Sequence, residues 1–260
     1  GRPGTEQRPA GWLDDVQALR VAKLPSSRGF PTDAIPLLAA GTGTTHWDAK
    51  LLQGWTNASS VALDVDDPKR FFAATISGDA VMHNTAVDPA GKKAANIQSA
   101  KEYGDIEAHV EFQIASKSNS GIYLMGRYEV QILDSFGKAD HELKEHDAGA
   151  IYQRWDEART PKGYEGHAPK HNATRPAGEW QSLDIKFRAP RFDKDGKKTA
   201  SAEFVSVKLN GVTLHENVKC AGPTRGAAFS EEAPTGPLMI QGNHGPVALR
   251  NVWLRKIPTP

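Results

Sequence analysis

Glu129 and Asp134 are the two acidic residues whose setting suggests chemistry. They lie in the run Tyr128-Glu129-Val130-Gln131-Ile132-Leu133-Asp134, which follows Asn119-Ser120-Gly121-Ile122-Tyr123-Leu124-Met125-Gly126-Arg127. The alternation of apolar and polar types over 128–133 is that of a strand, and a regular strand puts Arg127, Glu129, Gln131 and Leu133 on one face. A single bulge after Gln131 would reverse the parity beyond it, so that Glu129, Gln131 and Asp134 point the same way. Two carboxyl groups on one sheet face can serve as base and acid, or as nucleophile and acid, on a bound sugar. The competing reading is a solvated sheet face on which Arg127 and Glu129 neutralise each other.

Positioning such residues falls to a chain built mostly of strands. Residues 106–112 alternate strictly, with Ile106, Ala108, Val110 and Phe112 on one face and Glu107, His109 and Glu111 on the other. Stretches 122–124, 128–133, 150–153, 183–187, 204–209, 238–241 and 247–255 read the same way, and Asn210-Gly211 between two such stretches predicts a two-residue hairpin. Many short strands with almost no helical period predict an all-β sandwich or jelly roll. Residues 1–36 read as an extension and linker: an amphipathic helix over 12–23, with Trp12, Val16 and Leu19 at helical spacing, then Pro25, Gly29, Pro31 and Pro36. The domain proper is expected over 37–260. Long loops at 154–178 and 220–237 are placed to rim a binding site.

Composition narrows the function. The 260 residues carry 32 Lys and Arg against 31 Asp and Glu, a formal charge of +1, which argues against non-specific binding of nucleic acid or anionic membranes. No apolar run approaches the ~20 residues that span a bilayer. Cys220 is the one cysteine, so no intrachain disulfide forms. His141 and His146 are five apart and would not share a helix face, so the zinc pattern of two histidines four apart is rejected there.

Several short runs are similar to one family. Asn119-Ser120-Gly121-Ile122-Tyr123 and the 128–134 run are joined by Tyr103-Gly104-Asp105, Gly149-Ala150-Ile151-Tyr152 and Gly178-Glu179-Trp180-Gln181. Further on come Asn210-Gly211-Val212, Gly222-Pro223-Thr224, Gly236-Pro237-Leu238, His244-Gly245-Pro246-Val247 and Arg250-Asn251-Val252-Trp253. In this order they resemble the 3-keto-disaccharide hydrolase domain family over about residues 37 to 257. The resemblance implies a concanavalin A-like jelly roll of two curved antiparallel sheets, with a sugar on the concave face. The 129–134 run is also similar to the E-x-D-x-x-E signature of family-16 glucanases, with Gln131 and Asp134 departing from it.

Family membership implies cleavage of 3-keto-glycosides. A ketone at C3 acidifies the C2 proton, a base removes it, the C1 substituent leaves, and water adds to the unsaturated sugar. On this reading Glu129 is the base and Asp134 or His244 the acid. Asn119, Arg127 and Gln131 bind hydroxyls or the enolate oxygen, and Tyr152, Trp155 and Gln241 line the same face. The alternatives are a conventional family-16-like hydrolase using Glu129 and Asp134, or a non-catalytic carbohydrate-binding module. By analogy within the fold a divalent cation such as calcium is a possible cofactor, without named ligands. The chain has no nucleotide-binding glycine motif, so oxidation of the sugar would fall to a separate oxidoreductase. Such proteins are usually bacterial and exported, which implies a periplasmic or secreted location.

Overall fold

In the computed structural model the described residues are 30–39, 46–58, 60–74, 81–85 and 91–258. The helix expected over 12–23 lies outside them. The strands in chain order are β1 (Ile35–Leu38), β2 (Trp55–Ala58), β3 (Ser60–Leu63), β4 (Phe71–Ala74), β5 (Val81–Asn84), β6 (Ile97–Tyr103), β7 (Ile106–Ile114), β8 (Asn119–Leu124) and β9 (Tyr128–Leu133). After these come β10 (Arg154–Trp155), β11 (Gly163–Tyr164), β12 (Gln181–Arg188), β13 (Arg191–Phe192), β14 (Lys198–Ala200), β15 (Ala202–Leu209), β16 (Val212–Cys220), β17 (Gly236–Ile240) and β18 (Val247–Lys256).

Two antiparallel sheets form the sandwich. The larger has the order β16-β15-β12-β7-β18-β5-β2, with β1 also on β18, and the smaller the order β6-β17-β8-β9. Strand alternation builds the core between them. Ile106, Ala108, Val110, Phe112 and Ile114 of β7, with Leu183, Ile185 and Phe187 of β12, face Ile122 and Leu124 of β8 and Tyr128, Val130 and Ile132 of β9. Each of the Ile, Leu, Val and Phe side chains among them contributes about 1.5–3 kcal/mol on leaving water. The all-β jelly-roll expectation therefore holds. The Asn210-Gly211 hairpin joins β15 to β16 with both residues at positive φ, 52° and 84°, as a primed turn requires. β1 takes in Ile35 and Pro36, two residues earlier than the expected start of the domain. The expected strand over 150–153 is instead two isolated bridges at one residue, Ile151 pairing with Val130 on one side and His167 on the other. The 154–178 stretch is not bare loop, since β10 pairs with β11 inside it.

The outward face of the larger sheet carries its own buried polar cluster. His109 on β7 lies 2.6 Å from Asp184 on β12 and stacks on Trp253 of β18 with ring centroids 5.2 Å apart. Glu111 accepts from Arg250 at 2.6 Å and from Asn251 at 2.7 Å. Asn251 has φ 47° at the register shift in β18, and this lets it turn toward Glu111. Among the described residues no helix is long and apolar enough to cross a membrane.

Candidate active site

The outward face of the smaller sheet presents two transverse rows of side chains. β8 and β9 pair without a register shift from Asn119↔Leu133 to Leu124↔Tyr128, and β17 sets Met239 opposite Tyr123. Beyond β9 the chain at 149–152 continues the sheet: Tyr152 N–H donates to Glu129 O at 3.0 Å and Gln131 N–H donates to Ala150 O at 2.9 Å. One row therefore reads Met239, Tyr123, Glu129, Tyr152. Beside it run Gln241, Gly121, Gln131 and Ala150, with Gln241 N–H on Gly121 O at 3.0 Å. Directly opposed side chains in such rows touch.

Glu129 is the centre of this face. It is 2% exposed, and its carboxyl lies over Gly121, where an added Cβ would fall 2.1 Å from Oε1. Glycine at 121 is what makes room for it. Burial pushes the Glu129 carboxyl up to about 8, against the opposing effect of a hydrogen bond from the Tyr123 hydroxyl. Tyr123 is driven well above the ordinary phenol range by burial and then by the charge of Glu129. Tyr152 is raised for the same two reasons, while the neighbouring Arg225, which hydrogen-bonds to it, pulls it back. Gln241, 9% exposed, leaves its Oε1 without a hydrogen-bond partner. A buried, unpaired amide oxygen beside a poised carboxyl is a ready acceptor for a ligand hydroxyl.

The remaining predicted residues divide. Asn119 stands at the end of β8 on the same face as Gly121, partly exposed. His244 is exposed on the turn that follows Gln241, its imidazole shifted down by burial and by the charges of Lys93 and Arg225. That turn is seated by Gly245, where a Cβ would fall 2.3 Å from Ser118 Oγ, and by the Ser118 hydroxyl donating to Pro246 O at 2.6 Å. Trp155, half-buried, follows Tyr152 as expected and carries Arg225 on its ring, Cζ 3.8 Å from the centroid.

Two expectations need correction. The bulge after Gln131 does not form, because β8 and β9 stay in register through Leu133. Asp134 consequently follows Leu133 with the opposite parity to Glu129, and its Oδ2 accepts the Lys117 N–H at 2.8 Å. Arg127 is not on the strand at all. It closes the turn through Met125 and Gly126, both at positive φ, and donates to Met125 O at 2.8 Å and Glu231 O at 2.6 Å with Phe229 under its guanidinium.

Three contributors escaped the sequence reading. Tyr123 was in the quoted motif, and its even spacing from Asn119 and Gly121 marks its face. Thr224 accepts Glu129 N–H on its Oγ1 at 3.1 Å while donating that hydroxyl to Arg127 O at 3.0 Å, and Arg225 follows it. The Gly222-Pro223-Thr224 motif was the available signal for both. Among the described residues no three His, Cys, Asp or Glu side chains come together to hold a metal.

An all-β sandwich with a polar cluster on one sheet face defines a class that the comparisons narrow. A candidate glycosyl hydrolase from Parabacteroides distasonis ATCC 8503, known at 2.13 Å, superposes with a TM-score of 0.58 at 24% identity over 97% of this chain and 100% of its own, and shows the same fold. A second from that organism gives 0.47 at 17% identity over 82% and 95% of the two chains. An endo-beta-1,4-glucuronan lyase from the fungus Trichoderma reesei gives 0.44 at 11% over 87% and 96%. No curated protein sequence matches the chain. Residues 42–255 match the family model of the 3-keto-alpha-glucoside-1,2-lyase-like domain, and the chain belongs to that family. By that membership the protein is carbohydrate-active.

Proposed function

We propose that the protein cleaves 3-keto-glycosides by elimination and hydration, with Glu129 as the base. The observation that carries this reading is Glu129 itself: one buried carboxyl, raised to about 8, whose row and diagonal neighbours are Tyr123, Tyr152, Gly121 and Gln131, none of them a carboxylate. Displacement at C1 needs a second carboxyl close by, whereas removal of a proton next to a ketone needs one strong, dry base.

In the proposed sequence the Glu129 carboxylate takes the C2 proton, and the C2–H electron pair forms an enolate with the C3 carbonyl. The enolate re-forms the ketone, its pair making the C1=C2 bond as the C1–O bond breaks. The leaving oxygen gains a proton, for which His244 at the exposed rim is the proposed donor. Water then adds hydroxyl to C1 and a proton to C2, so the net change is hydrolysis. Gln241 Oε1 accepts a sugar hydroxyl, and Trp155 offers a ring face. The ketone is made beforehand by a separate sugar oxidoreductase.

The test is turnover of a chromogenic glucoside beside its 3-keto counterpart. Release from the keto form alone is expected. Release from the plain glucoside would overturn the proposal in favour of hydrolysis by displacement, and binding of either without release would make the protein a carbohydrate-binding module.

A further inference from the structure

We infer that Arg225 is a catalytic residue, the cation that holds the C3 oxygen as it becomes an enolate; this rests on the elimination reading above. Arg225 is fixed where such a charge is needed. Its N–H donates to Gln153 O at 2.9 Å, and the preceding Thr224 N–H donates to Arg127 O at 2.9 Å while its Oγ1 accepts the Glu129 N–H at 3.1 Å, so the segment is fastened to the start of β9 and to the 149–153 stretch beside it. On its other side Gly226 lies against Tyr123, where a Cβ would come within 2.9 Å of the hydroxyl. The segment 224–226 therefore crosses the row at Glu129 itself.

The guanidinium is held over a ring and left available. It lies on Trp155 at 3.8 Å, a stack worth about 0.5–1 kcal/mol at an exposed site, and hydrogen-bonds to Tyr152. Among the described residues no carboxylate forms an ion pair with it, in contrast to Arg154 with Glu165, Arg191 with Asp105 and Arg250 with Glu111. An unpaired, stacked guanidinium one tyrosine away from the base suits an oxygen bonded to the carbon next to the one losing its proton. When Glu129 takes that proton the C2–H pair enters the C2=C3 bond and the carbonyl pair moves onto oxygen. Arg225 donates to that oxygen and keeps its own protons throughout. Lysine would keep the charge but lose the ring stack and the fork of donors.

Three measurements on Arg225→Met and Arg225→Lys test the role: turnover of a 3-keto-glucoside, exchange of its C2 proton with deuterated solvent, and affinity for the unoxidised glucoside. Loss of one preorganised oxyanion donor costs roughly 100- to 1000-fold in turnover. Arg225→Met is expected to lose turnover and exchange together by that factor while binding the unoxidised glucoside within about threefold of wild type, with Arg225→Lys in between. Wild-type turnover in Arg225→Met, or an equal loss of affinity for the unoxidised sugar, overturns the inference but leaves the elimination reading intact. A wild-type protein inert toward every 3-keto-glucoside overturns both.

Discussion

Replacing Glu129 with Gln probes the centre of the site through stability as well as turnover. In the unfolded chain this carboxyl titrates at about 4.5, and burial raises it to about 8 in the folded one. Below pH 4.5 it is protonated in both states and has no effect on the balance between them. Between the two values the unfolded chain binds fewer protons than the folded one, so each pH unit favours unfolding by about 1.4 kcal/mol. Over the three and a half units of the gap the folded state loses on the order of 5 kcal/mol, an upper bound that local relaxation reduces. Gln has nearly the same shape and does not titrate. Urea denaturation from pH 4 to 9 is therefore expected to show the Glu129→Gln protein gaining on wild type from about pH 4.5 and levelling off above pH 8, while turnover of a 3-keto-glucoside is lost. The same titration governs the wild-type rate: about one tenth of the carboxyl is ionised at pH 7, and kcat/KM should rise roughly tenfold per unit before flattening near pH 8. A stability difference that stays constant across pH would refute the assignment of a buried, proton-holding carboxyl at 129.

Gly121→Ala places a methyl 2.1 Å from Glu129 Oε1, so the carboxyl must leave its seat; we expect about 1–3 kcal/mol of destabilisation by thermal melting and a loss of turnover larger than the melt explains. Asp134→Asn should keep turnover within a few-fold of wild type, since Asp134 has the opposite parity to Glu129 and Asn can still accept from Lys117 N–H; a thousand-fold loss would place the reacting sugar elsewhere. His109→Gln tests the opposite sheet face. Although burial works against it, hydrogen bonds to Asp184 and Glu111 lift His109 to about 9. The stability it adds is complete below pH 6.5 and disappears as pH passes 9, about 3 kcal/mol in all. In the variant, the slope of unfolding free energy against pH over that window should flatten.

The sheets were legible because alternation is a local property. Ile106 to Phe112 and Tyr128 to Leu133 announce their inward faces residue by residue, and Asn210-Gly211 announces its turn. The relation of Asp134 to Glu129 was not legible in the same way. The strand reading admitted a bulge after Gln131 that would bring the two carboxyls onto one face, but nothing in Ile132-Leu133 forces one, and the β8 pairing runs straight through. Arg127 was read as a strand residue although Gly126 beside it marks a turn; the positive φ at Met125 and Gly126 ends β8 and commits Arg127 to backbone carbonyls. The Gly222-Pro223-Thr224 motif marked the neighbourhood of Arg225 but not its role, because only the path of the chain between β16 and β17 brings it onto Trp155 and Tyr152.

The chemistry that fits this face follows from how few charges it has. A nucleophilic carboxylate needs an acid about 5 Å away, and the residues set beside Glu129 in its two rows, Tyr123, Tyr152, Gly121, Gln131 and Gln241, offer no carboxyl. A base for a C2 proton faces a different demand: it must be strong when ionised and must also return a proton to C2 when water adds. A surface glutamate titrating near 4.5 holds its proton too weakly for the second step and attracts it too weakly for the first. At about 8 the same group can do both within one pH unit of neutrality. The burial that raises it comes from packing between Tyr123 and Tyr152 over Gly121, so the two tyrosines and the missing side chain give an ordinary carboxyl the proton affinity that the proposed carrier role requires. Hydration in deuterated water should therefore place deuterium at C2 of the product with one stereochemistry, set by the side of the ring that faces Glu129.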